Sequence, residues 1–227
     1  MAFTLDKIVP WGRSYTEYLR MFNLTGDDLK LSILGCADGP ASFNSEMRKR
    51  GYTAVSADPI YQFSAAEIRR RIDETYSDIL KQTRLNRDAY VWDEIGSVEE
   101  LGRLRMSAML EFIDDFELGK QEGRYVAAEL PSLPFTNSQF DLVLSSHFLF
   151  LYSDHLSLDF HTDAITELCR VGKEVRIFPL LDMSGALSVH VDPVIEALRK
   201  ASKLVSIETV PYEFQRGGAK ILRIHNT

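Results

Sequence analysis

Leu31-Ser32-Ile33-Leu34-Gly35-Cys36-Ala37-Asp38-Gly39-Pro40 is the stretch on which the fold turns. Residues 31–34 form a short apolar strand, broken by the glycine-rich turn 35–40. A helical segment follows, with Gly39 before it, Pro40 at its first position and Gly51 after it. Proline suits that position because its missing N–H would be unpaired there anyway. Residues 52–57 read as a second strand that ends at Asp58-Pro59.

Working outward, the alternation continues. Ser14 precedes Tyr15, Tyr18, Leu19 and Phe22 at helical spacing, and Glu17 completes a capping box with it. Two helical segments, 64–83 and 97–118, come next, with Ser64/Glu67 and Ser97/Glu100 as further capping boxes. The second carries Leu101, Leu104, Met109, Phe112 and Phe116 on one broad apolar face. Strands are expected at 124–128, 140–145 and 174–181, and helices at 161–171 and 193–202. Two final strand-like runs are joined by Gln215-Arg216-Gly217-Gly218. So short a connection allows only an antiparallel pair. Alternating strand and helix elsewhere implies a mostly parallel sheet covered on both faces, so the chain reads as α/β, a doubly wound sheet closed by an antiparallel hairpin.

The 227 residues suit one domain, 1–227, with residues 1–30 as an N-terminal lid helix and 64–120 as a helical insertion between the second and third strands. Apolar residues make up 45%, enough for a full core. A net charge of −7 argues against nucleic acid as the main partner, because a polyanion ligand needs a basic face. Arg69-Arg70-Arg71 reads as a solvated helix face. Cys36 and Cys169 make no disulfide framework, and the start MAFTLDKIVPWGR lacks a basic region followed by an apolar core, so a cytoplasmic setting is expected. The longest apolar stretch, 140–152, is broken by Ser145, Ser146 and His147 and is too short to span a bilayer, so no membrane partner is expected.

In an open parallel sheet the ligand sits beyond the strand C-termini, where strand order reverses. The first such loop, Gly35-Cys36-Ala37-Asp38-Gly39, brings backbone close to a ligand. The second holds Asp58, placed to accept both hydroxyls of a ribose or to cap the turn before Pro59. The third holds Glu129 and Leu130, and the fourth Ser146 and His147. His147 is either a general base or a packed histidine, and Cys36 reads as a small buried residue. His155, Asp159 and His161 give no complete metal set, so no metal is expected. A dinucleotide fingerprint fits poorly, because its second glycine is Ala37 and its third position is Pro40.

ILGCADG, Asp58, AAELPSLPF and FDLVLSSHFLF, in that order and spacing, resemble the class I S-adenosylmethionine-dependent methyltransferases over roughly residues 30–227. The phrases FLYSDHLSLDFH, CRVGKEVRIFPLL and VPYEFQRGG look like a bacterial methyltransferase-like subgroup. The resemblance implies a Rossmann-like sheet of about seven strands ending in an antiparallel hairpin. It also implies S-adenosylmethionine as cofactor, with S-adenosylhomocysteine as product. Asp58 falls on the family's ribose acid, with Pro59 beside it, and Glu129 with Leu130 on its adenine contact. Ile33 stands where most members carry an acid for the methionine amine, and Ala37 where most have glycine. Asp38 either replaces that acid or caps the following helix. In the segment 10–15, Trp11 and Tyr15 offer apolar cover and Arg13 a fork for the methionine carboxylate.

The expected reaction is methyl transfer to a small molecule or a protein side chain. An oxygen acceptor would need a base, with His147 or Asp159 as candidates. The rivals are a non-catalytic binding protein on the same fold and, less favoured, a nicotinamide-dependent oxidoreductase. The insertion reads as a wall of the acceptor pocket, or its apolar face as a homodimer interface.

Overall fold

The computed structural model describes residues 9–226, so the reading of residues 1–8 lies outside the described residues. One sheet holds seven strands in the order β3-β2-β1-β4-β5-β7-β6. β1 (Ile33–Cys36), β2 (Ala54–Ala57), β3 (Tyr125–Val126), β4 (Phe140–Ser146) and β5 (Gly172–Phe178) are parallel. β7 (Lys220–His225) runs antiparallel between β5 and β6 (Leu204–Thr209). Ile33 pairs with Ala54 on one side and Leu142 on the other, so β1 is where strand order reverses. A crevice opens at such a reversal, because successive crossovers lead away from it in opposite directions.

Alternate strand residues feed opposite faces. Ile33, Leu142 and Leu144 join α1 (Tyr15–Met21) and α2 (Phe43–Lys49) in one core. Leu34, Val143 and Val175 join α5 (Leu158–Val171) and α6 (Val191–Lys200) in the other. Of the three expected capping boxes, Ser14/Glu17 and Ser64/Glu67 form in full, whereas at Ser97 only the bond from Glu100 N to Ser97 Oγ (3.1 Å) is made. The insertion folds as α3 (Ala65–Leu85) and α4 (Val98–Gln121). Met109, Phe112 and Phe116 of α4 are buried against Tyr61, Ile68, Ile72 and Tyr125 of the same chain. That face is consumed within the molecule and is not a free dimer surface.

Two expectations are corrected. The helix after the first turn begins at Phe43 with Ser42 at its N-cap, not at Pro40. Residues 40–42 are held by the N-terminal segment instead. Ser42 N donates to Arg13 O (3.0 Å), and a Cβ at Gly12 would fall 2.0 Å from Pro40 O. The last two strands are antiparallel, but their connection runs over 210–219 rather than through four residues. It is longer because it docks on the insertion: Val91 N donates to Phe214 O (2.8 Å) and Arg216 N to Ala89 O (2.9 Å).

Candidate functional site

A cavity of about 590 Å³ opens over the C-terminal ends of β1, β2, β4 and β5. It lies within the range of roughly 300–1,000 Å³ typical of small-molecule sites. The turn after β1 supplies Cys36, Ala37, Asp38 and Gly39 to its wall. Ala37 has φ 58°, in the left-handed region, and its N–H donates to Ala57 O at 2.8 Å. This reversal folds Asp38 back over β1, where a Cβ on Gly35 would lie 1.8 Å from Asp38 Oδ2. Tyr18 Oη donates to Asp38 Oδ1 (2.8 Å) and Ser56 Oγ to Oδ2 (2.7 Å). Burial pushes the Asp38 carboxyl up to about 7, against the pull of those two bonds. Asp38 therefore does not cap the helix that follows.

Asp58 laces the first two turns together. Its Oδ2 accepts from Gly39 N (2.8 Å) and its Oδ1 from Ile60 N (2.9 Å). Tyr61 Oη closes the same turn by donating to Gly39 O (2.7 Å). Burial raises the Asp58 carboxyl to about 6 against those two amide bonds. The capping reading of Asp58 is thus real, and it leaves room for more: each carboxylate oxygen has a second lone pair.

Beyond β4 the lining changes. His147 has φ 51°, and its N–H donates to Phe178 O at 2.7 Å. Its Nδ1 shares a hydrogen bond with Ser146 Oγ (2.8 Å), and its ring meets Phe178 edge-on at 5.2 Å. Burial, with Arg13 and Arg105 nearby, holds the imidazole well below its usual range, so it is neutral at pH 7. Arg13 lines the cavity; its Nη1 donates to Trp11 O (2.6 Å), while its buried Nε has no hydrogen-bond partner. Burial and Arg105 lower it to about 10, so it stays cationic. Behind it, fully buried Arg105 pairs with Glu17, whose Oε1 also accepts from Tyr212 Oη (2.8 Å). Burial alone would raise Glu17, but the Arg105 charge overcomes it and holds the carboxyl down at about 2.

The cavity brings together Arg13, Cys36, Ala37, Asp38, Gly39, Asp58, Pro59, Glu129, Leu130, Ser146 and His147. Three expected residues stand outside its lining. Tyr15 faces the other way, stacked on Phe43 at 5.8 Å beneath the Arg50 guanidinium. Gly35 makes space for Asp38 instead of approaching a ligand. Asp159 is exposed in the first turn of α5, a favourable place for a carboxylate beside a helix N-terminus, while its neighbour Phe160 reaches the cavity. Arg71, read as a solvated residue, lines the cavity with its guanidinium 3.6 Å from the centre of the Phe63 ring. Sequence reasoning also missed Tyr18, Tyr90 and Phe214 as cavity residues; the aromatic VPYEF phrase was the available signal for the last of them. Ile79, Thr83 and Leu101 place the insertion in the cavity wall. Among the described residues no cluster of three or more His, Cys, Asp or Glu is arranged to hold a metal, and no helix is long and apolar enough to cross a membrane.

Strand order, the reversal at β1 and the acid at the end of β2 are those that the resemblance to the class I S-adenosylmethionine-dependent methyltransferases implies. The chain belongs to one family with the uncharacterized protein MJ0045 of Methanocaldococcus jannaschii, to which it is 35% identical over 221 residues, 97% of each chain. No family model matches it. Among solved structures it is similar to the PH0226 protein of Pyrococcus horikoshii (TM-score 0.47, 12% identity, covering 94% of this chain and 91% of that one). It is similar also to a SAM-dependent methyltransferase of Aquifex aeolicus (TM-score 0.43, 13% identity, 93% and 87%). A third is the 1,6-didemethyltoxoflavin-N1-methyltransferase of Burkholderia thailandensis, solved with bound 1,6-didemethyltoxoflavin and S-adenosylhomocysteine (TM-score 0.44, 11% identity, 87% and 71%).

Proposed function

We propose that the protein binds S-adenosylmethionine and transfers its methyl group to a small molecule or a protein side chain. The observation that carries this reading is one cavity whose lining holds both Asp58 and Arg13, a buried cation with an unpartnered Nε. Asp58 would take the ribose hydroxyls on its remaining lone pairs, already oriented by Gly39 and Ile60. Glu129 and Leu130 would meet the adenine edge and ring, with Pro59 beside it. Cys36, Ala37, Gly39 and Ser146 would lie along the sugar and methionine, and Asp38 would face the amine that an acid at position 33 meets elsewhere. Ile33 itself is buried in the α1/α2 core, where an unpaired carboxylate would be costly. Arg13 would grip the methionine carboxylate through its fork. The bound cofactor supplies a methyl group on a sulfonium, so the protein's task is alignment of the acceptor. His147, neutral and next to the acceptor side, is the remaining candidate base.

A thermal-shift panel of S-adenosylhomocysteine, NAD and NADP tests this. At about 100 times its Kd a ligand adds roughly 2.7 kcal/mol of stability. Stabilisation by S-adenosylhomocysteine is expected. A shift with NAD in its place would transfer the chain to the nicotinamide reading. Binding without turnover on any acceptor would leave the non-catalytic binding protein.

A further inference from the structure

The charges in the cavity lining belong to Arg13, Asp38, Asp58, Arg71 and Glu129. The cofactor reading engages four of them. The fifth, Arg71, rests its guanidinium 3.6 Å from the centre of the Phe63 ring, and Phe63 ends the short helix that Asp58 caps. All five thus come from the N-terminal segment or from the stretches that follow β1, β2 and β3.

The rest of the lining is uncharged. Much of it comes from β4 onward, from the later part of the insertion and from the β6–β7 connection, which supply Tyr90, Phe148, Phe160, Phe178, Tyr212 and Phe214. Burial raises the phenols of Tyr90, Tyr152 and Tyr212, so all three keep their protons at pH 7. His147 is neutral for the same reason. The Tyr212 hydroxyl donates to Glu17 and the Thr83 hydroxyl to Ile79 O, each at 2.8 Å, so these polar groups are engaged within the chain.

This uncharged lining adjoins the methionine end of the proposed cofactor site. Arg13 is near enough to Tyr90, Tyr152 and His147 for its charge to act on each of them. The methionine carboxylate would answer that charge, which leaves the acceptor no ion to pair with. Backbone bonds close the wall here: Val91 N donates to Phe214 O (2.8 Å) and Arg216 N to Ala89 O (2.9 Å), beside the Tyr90 and Phe214 rings stacked at 4.7 Å. A charged group brought against such a wall loses its water and gains no partner, whereas an apolar molecule gains by burial.

We propose, resting on the S-adenosylmethionine reading, that the methyl acceptor is an uncharged, mainly apolar small molecule, and not a charged metabolite or the ammonium, guanidinium or carboxylate of a protein side chain. The lining selects by what it withholds. Ions of either sign are disfavoured alike, and the rings supply the area that an apolar acceptor covers.

Calorimetric titration of the protein saturated with S-adenosylhomocysteine at pH 7 tests the proposal, with 2-naphthylmethanol, 2-naphthoate and 2-naphthylmethylamine as matched neutral, anionic and cationic probes. The alcohol is expected to bind at least tenfold more tightly than either ion. This comparison needs no variant. Phe214→Ala should in addition weaken the alcohol about tenfold while leaving S-adenosylhomocysteine affinity and the circular dichroism spectrum unchanged. An ion that binds as tightly as the alcohol, no binding by the alcohol, or unchanged alcohol affinity in the folded Phe214 variant overturns the acceptor inference and leaves the cofactor reading standing. Failure of S-adenosylhomocysteine itself to bind overturns the cofactor reading, and the acceptor inference with it.

Discussion

The turns after β1 and after β4 use the same backbone device and carry opposite loads. Each reverses at a non-glycine residue with positive φ, Ala37 at 58° and His147 at 51°. Each ties that residue's N–H to the end of the neighbouring strand, Ala57 O in one case and Phe178 O in the other. After Ala37 comes Asp38, folded back onto β1 and bonded by Tyr18 and Ser56. After His147 comes Phe148, which faces the cavity as a ring. Two residues before each reversal the difference is plain: Gly35 leaves space for a carboxylate, whereas Ser145 carries a side chain. One geometric solution thus serves a polar, acid-tipped half and an apolar, ring-lined half of one cavity.

The largest effect that would break this contrast is at Asp58. Asp58→Ala should weaken S-adenosylhomocysteine by roughly 1.5–3 kcal/mol, about 10- to 150-fold, read by calorimetry. Unchanged affinity would reduce Asp58 to a residue that only laces turns. Gly35→Ala is next. Its Cβ has nowhere to go while Asp38 is held on both oxygens, and overpacking of this kind costs about 1–3 kcal/mol in chemical denaturation. Ser145→Ala, two residues before the other reversal, should cost less.

A pH series sharpens the contrast further. Asp38 and Asp58 have carboxyls raised to about 7 and about 6 in the fold, above the unfolded value of about 3.9. The folded chain therefore binds protons more tightly than the unfolded chain at these two sites. Their contribution makes the ligand-free protein less stable as pH rises from about 4 through 7. A ribose needs the ionised Asp58, so S-adenosylhomocysteine affinity should fall about tenfold between pH 7 and 5, with proton release on binding. A flat profile would mean that Asp58 does not titrate with the ligand. The smallest effects differ in sign. His147→Gly relieves backbone strain but loses the Ser146 bond and the Phe178 contact, a net cost of about 1 kcal/mol. Ala37→Gly relieves the same strain and loses only a methyl group, so it should gain somewhat less than about 1 kcal/mol. Thermal unfolding of the two variants under one buffer decides both.

The first half of this contrast was legible in the sequence, and the second half much less so. A local run such as 31–40 encodes a strand, a turn and a helix through residues that are neighbours in the chain. Asp58 could be placed because it ends the very next strand. Tyr15 misled because helical spacing shows which residues are apolar, but not which of two buried sides they face; it packs on α2. Asp159 misled in the same way, being one position from Phe160, which does turn inward. The ring-lined half is assembled from residues 90, 148, 178 and 214, and no local pattern links them. Even the final hairpin was half read. Antiparallel pairing follows from two adjacent runs, whereas the docking of 210–217 on Tyr90 depends on an insertion more than a hundred residues earlier.

The buried Glu17 has a consequence for how the molecule opens. Its carboxylate is shared between Arg105 of α4 and Tyr212 of the β6–β7 connection. Pulling α1 away would strand a guanidinium in a dry interior, so α1 behaves as a keystone and not as a hinged cover. The opening, middle and closing stretches of the described chain then breathe together or not at all. Backbone amides of α1 should exchange with solvent only when the whole domain unfolds, and ligand traffic falls to loops that no buried charge pins.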